Sequence, residues 1–83
     1  MKTEARKIND YLAAKGLPTQ TPDVLEDLLS SVTEGTAQQA LRVLLTSLRY
    51  EAHEKHYGKP PKPWQVEIMA RKSEEDAAEA DLR

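Results

Sequence analysis

Eighty-three residues, a formal net charge of −2 and no cysteine describe one small domain without disulfides, thiolate metal sites or a cysteine nucleophile. No apolar run exceeds four residues. A signal-peptide core needs about 7–15 and a membrane helix about 20, so a soluble, cytoplasmic chain is expected.

"TEARKINDYLAAKG" predicts a first helix over 3–15, with Ala5, Ile8 and Leu12 on one face and Tyr11 beside them. Gly16 suits the left-handed position after the last turn. Leu17 then falls where a Schellman cap brings it back toward Leu12, and Pro18 stops the helix from resuming. The second helix, 22–33, starts at the N-cap Thr21 with Pro22 at N1 and Asp23 at the positive end of the dipole. Leu25, Leu28, Leu29 and Val32 form its stripe, and Gly35 is read as its terminator.

The third helix, 37–57, carries a capping-box pattern in Thr36 and Gln39 and stops at Gly58. Leu41, Leu44, Leu45 and Leu48 form its stripe, which Ala40 and Val43 widen. An apolar surface that broad predicts a central helix covered from two directions. Burial is expected for Leu28, Leu44 and Leu48.

"GKPPKP" follows and reads as extended. Beyond it the signals divide. Pro63 suits the start of a fourth helix, with Trp64 and Ile68 four residues apart. Trp64, Val66 and Ile68 also alternate with polar residues, as a strand would. A strand here has no partner within the chain, so helix is favoured. Past Ala70 the apolar positions end. Ser73 and Asp76 resemble a cap, but a helix with nothing to bury is marginal in water. The expected architecture is therefore an all-α three-helix bundle in a single domain, 1–71. That domain ends in the proline-led segment, and an acidic mobile tail follows over 72–83.

Charge is arranged in blocks. Residues 17–35 hold four acids and no base, and residues 73–83 hold five acids and one arginine. The segments between and before them are net basic. Such blocks serve solvated faces, self-pairing or a charged partner.

The chemistry-bearing residues are few. His53 and His56 stand at i, i+3, not at the i, i+4 spacing of HExxH, and no third ligand stands at a motif spacing. No metal or cofactor is expected. The three glycines sit at helix ends, not in a phosphate loop, and no serine or threonine has a nucleophile's setting, so the chain is not read as an enzyme. Two Leu-x-x-Leu-Leu repeats, 25–29 and 41–45, have the spacing of any core-facing helix.

Helices two and three with Gly35 between them resemble a helix-turn-helix in outline. Gln38, Gln39 and Arg42 then stand near the start of the second helix, where such side chains read base edges. Against this, helix two is acidic, the reading helix is long, and cations that would hold phosphates are sparse.

Length directs attention elsewhere. Helix three spans about 31 Å against about 18–20 Å for the first two, which leaves an overhang near residues 49–57. That overhang bears Tyr50, His53 and Tyr57, and the prolines can turn Trp64, Ile68 and Met69 back onto it. These six residues are the expected partner-binding surface, unless the stretch is only an intramolecular clasp. Tyr, Trp and Met are enriched in interface cores. The expected function is a small non-catalytic binding or assembly protein that acts through helix surfaces. It is read as a homodimer, and compact, cysteine-free, single-domain helical proteins of this kind are common among bacterial accessory and phage-encoded modulators of a host protein. A small DNA-binding regulator is the alternative, and no membrane partner is expected.

Overall fold

The computed structural model describes residues 3–80 and Leu82. Among them run four α-helices: α1 (Thr3–Ala14), α2 (Pro22–Ser31), α3 (Ala37–Tyr57) and α4 (Pro63–Glu79). No strand occurs among the described residues. The all-α bundle class is as expected. None of these helices is long and apolar enough to cross a membrane. The chain divides into two compact units, one containing α1 and α2, the other spanning Leu41–Glu79.

In the first unit α1 and α2 pack together. Ala5, Ile8 and Leu12 are fully buried, as their spacing requires. The Schellman cap forms as read. Gly16 has φ +69°, Leu17 N–H donates to Leu12 C=O at 2.8 Å, and Gly16 N–H donates to Ala13 C=O at 3.1 Å. The link to α2 is pinned by a side chain that periodicity does not reveal. Asn9 Nδ2 donates to Gln20 C=O at 2.8 Å, and Asn9 Oδ1 accepts Gln20 N–H at 2.9 Å. One amide thus satisfies both backbone groups of a loop residue.

Helix α2 begins as expected, with Thr21 Oγ1 accepting Val24 N–H and Pro22 in the first turn. It ends earlier than expected. Ser31 Oγ donates to Leu28 C=O, and the β-branched Val32 is already extended at φ −86°, ψ 142°. Short hydroxyl side chains offer the backbone such alternatives to helix. Gly35 therefore does not end α2; it closes the following turn at φ +63°, donating to Val32 C=O. Leu25 is the only member of the α2 stripe that is fully buried. Leu28, Leu29 and Val32 are half-buried.

Helix α3 starts with half of the expected capping box. Gln39 N–H donates to Thr36 Oγ1 at 3.2 Å, but Gln39 Oε1 accepts Glu34 N–H at 2.7 Å instead of reaching the cap's own N–H. Ala37, Ala40, Leu41, Leu44 and Leu45 are buried. Leu48, like Leu28, is only half-buried, so two of the three expected core leucines lie at the core's margin. Gly58, at φ +72°, ends α3 by donating to Glu54 C=O at 2.8 Å. Lys55 and His56 in the last turn lie where the dipole favours positive charge.

The segment after Pro63 is helix, not strand. Lys62 C=O accepts the N–H groups of Gln65 and Val66, and Gln65 Oε1 accepts Lys62 N–H at 2.8 Å. Proline at the first helical position loses no bond there. Residues 72–79, expected to fray, continue α4. Ser73 and Ala77 are buried one turn apart. Ser73 is therefore mid-helix and not an N-cap. Its Oγ donates back to Met69 C=O at 2.8 Å and accepts from Arg49 Nη1 at 2.8 Å. The guanidinium's other arm donates to Asp76. A reading by apolar side chains alone misses this anchoring, because it is made by a serine, an alanine and an ion pair.

Candidate functional site

Both flanks of α3 and α4 in the second unit follow a helical register. On α3, Arg49, Ala52, His53, His56 and Tyr57 fall at i, i+3, i+4, i+7 and i+8. On α4, Trp64, Gln65, Ile68, Met69 and Lys72 fall at i, i+1, i+4, i+5 and i+8. These ten residues line an open groove of about 460 Å³. It lies in the size range of ligand and side-chain pockets, about 300–1,000 Å³.

The floor is aromatic and aliphatic. Tyr57 sits between two imidazoles, with its ring centroid 4.5 Å from His53 in a tilted contact and 4.6 Å from His56 edge-on. Such edge-on and tilted arrangements suit the aromatic quadrupole. Four large apolar residues are exposed among those described, and three of them line this groove: Tyr57 at 62%, Trp64 at 57% and Ile68 at 44%. The fourth, Val24, belongs to the other unit. Trp64 is the chain's single tryptophan.

The polar groups are positioned unequally. Arg49 is fixed by Ser73 and Asp76. Lys72 is exposed. His53 Nδ1 is buried and has no hydrogen-bond partner. No group of three or more metal-ligating residues occurs among the described residues. No aspartate or glutamate is among the lining residues.

Five of the six residues expected at a partner surface meet here: His53, Tyr57, Trp64, Ile68 and Met69. Tyr50 does not. It is half-buried and is not among the lining residues, although it shares a helical face with His53 and Tyr57. Sequence reasoning missed Arg49, Ala52, His56, Gln65 and Lys72. The signal was available, since each falls on the helical face already marked by His53 and Tyr57 or by Trp64 and Ile68. A search for aromatic residues passes over it.

Of the residues of the DNA-reading alternative, Gln39 has its side chain engaged elsewhere. Gln39 is engaged in the α3 cap, and Arg42 is half-buried with its carbonyl accepting Thr46 Oγ1 at 2.9 Å. Gln38 is exposed on the first turn. No protein-family model, curated protein or solved structure matches the chain.

Proposed function

We propose that this chain is a small non-catalytic binding and assembly protein whose working surface is the α3–α4 groove. The observation that carries this reading is the gathering of Tyr57, Trp64 and Ile68, all exposed, around one open concavity. Leaving large apolar side chains in water is unfavourable by roughly 25 cal/mol per Å². A concave cluster of them, bordered by polar groups, is a surface that gains by being covered. Tryptophan and tyrosine also dominate the energetics of protein interfaces.

An accessory protein that modulates a larger host factor fits this design. Self-pairing is the neighbouring reading, favoured by the alternation of acidic and basic blocks along the chain. Duplex DNA is less well supported, because Gln39 is committed to a cap and the acidic α2 would face phosphate unfavourably.

A photo-crosslinking amino acid placed at position 68, with position 74 as the control, tests the proposal in cells. The expected result is a polypeptide adduct at 68 that is absent at 74 and survives nuclease. An adduct of twice the chain mass supports self-pairing. Equal labelling at both positions would remove the groove as the working surface.

A further inference from the structure

The chemistry of the groove specifies its occupant further. We infer that the groove takes an acidic amphipathic helix from a different protein, with apolar anchors at i, i+3 or i+4, and i+7. This inference rests on the groove being the docking surface.

The dimensions of the groove match a helix. On each helix the lining runs from i to i+8, which is about 12 Å along a helix axis. Three anchors on one face of a partner helix, from i to i+7, span about 10.5 Å. A volume of about 460 Å³ accommodates two or three large side chains. Addition of a β-strand would need a sheet edge offering unpaired backbone groups, and both walls here are helices whose backbone is already bonded.

The charge around the groove favours an acidic partner. The lining includes the cations Arg49, whose charge Asp76 offsets, and Lys72, and no carboxylate. The segment that joins the two groove helices extends this. From Lys55 to Val66 the chain has three lysines and no acid. Lys59 and Lys62 in it are exposed. An apolar floor thus has cations toward both ends. A partner with carboxylates flanking its anchors is attracted, and one with lysines there is repelled.

Other occupants fit less well. A membrane surface cannot enter a concavity. Bases of a single strand stack on Tyr57 or Trp64, but the aliphatic floor of Ile68, Met69 and Ala52 offers them no π-face. The acids of a second copy lie in two blocks, 17–35, where the apolar stripe of α2 is buried or half-buried in its own unit and only Val24 is exposed, and 73–83. In the latter block Asp76 already pairs with Arg49, and Glu74 and Glu75 have no large apolar neighbours to serve as anchors.

A displayed library of random helical peptides, selected on the full chain, supplies the probe. Winners are titrated by the emission of Trp64, the only tryptophan, on the wild type, on Lys72→Glu and on Trp64→Phe. A fluorescein label on the peptide reports where Trp64 is absent. The expected winners carry apolar residues at the anchor spacing with flanking Asp or Glu. They should weaken about tenfold on Lys72→Glu and by a similar factor when salt is raised to about 0.5 M. Lys72 is exposed, so the variant folds, which a circular-dichroism melt verifies.

Neutral or basic winners that perturb Trp64 emission overturn the acidic-helix inference and leave the groove standing. Winners that ignore Trp64, or a library that yields none, overturn the groove itself. A wild-type chain that sediments as a dimer with Trp64 shielded assigns the groove to a second copy. Competition by a labelled single-stranded oligonucleotide assigns it to nucleic acid. Each of these last two results also overturns the inference.

Discussion

Arg49 on α3 donates through Nη1 to the hydroxyl of Ser73, a fully buried residue on α4, at 2.8 Å. The same guanidinium reaches Asp76 through Nη2. One planar fork therefore holds two positions of α4 while presenting its flank to the groove. Lysine carries the charge but cannot span both acceptors. Arg49→Lys should destabilise the chain by about 1 kcal/mol, a value for a partly exposed pair plus one lost hydrogen bond. Ser73→Ala should fall in the same range. Thermal melts of both variants and of the double variant test the coupling. Strictly additive effects would show that the two residues do not share an interaction.

Leu44 is buried and Leu48 is half-buried on the same helix. Leu44→Ala should therefore lower stability by about 2–5 kcal/mol, and Leu48→Ala by distinctly less. In a domain whose total stability is about 5–15 kcal/mol, the first change is large. Urea unfolding followed by circular dichroism ranks them. The reverse order would contradict the burial pattern.

Asn9 supplies one donor and one acceptor to the backbone of Gln20. Asn9→Asp retains an acceptor for Gln20 N–H but sets a carboxylate against its carbonyl. Asn9→Ala leaves both groups to find water. Each should destabilise by about 1–3 kcal/mol. Hydrogen exchange at the Gln20 amide provides a local check, since protection there should vanish in Asn9→Ala and persist in the wild type.

Trp64 separates a docking surface from a structural clasp. It is 57% exposed, so acrylamide should quench its emission efficiently in the free chain. Trp64→Ala should change stability by no more than about 0.5 kcal/mol, as surface substitutions generally do. A loss of several kcal/mol would mean that the side chain completes the fold instead of awaiting an occupant.

Gln39 distinguishes capping from base reading. Its side chain accepts Glu34 N–H, so Gln39→Ala should lower thermal stability by about 0.5–1 kcal/mol through a weakened α3 start. Gel shifts with duplex DNA at low salt should show no sequence-specific complex for wild type or variant. A specific shift abolished by Gln39→Ala would restore the DNA reading.

The sequence by itself determined the helices wherever local chemistry decides. Gly16, Pro18, Thr21 with Pro22, Gly58 and Pro63 mark ends that the backbone obeys, because caps and proline act within one turn. It also marked Ile8, Leu12, Leu25, Leu41 and Leu44 as core, since their spacing alone places them on one face. Five of the six residues it proposed for a partner surface line one concavity. Tertiary structure decided the rest. Residues 72–79 are helical and anchored because Arg49 lies 24 positions before Ser73 in the chain, and a bond over that separation leaves no periodic trace. The Asn9–Gln20 clasp, 11 positions apart, is hidden for the same reason. The groove belongs to both categories. Each wall is legible as a helical stripe, but only the placing of α4 beside α3 makes two stripes into one concavity with Arg49 and Lys72 at its margin.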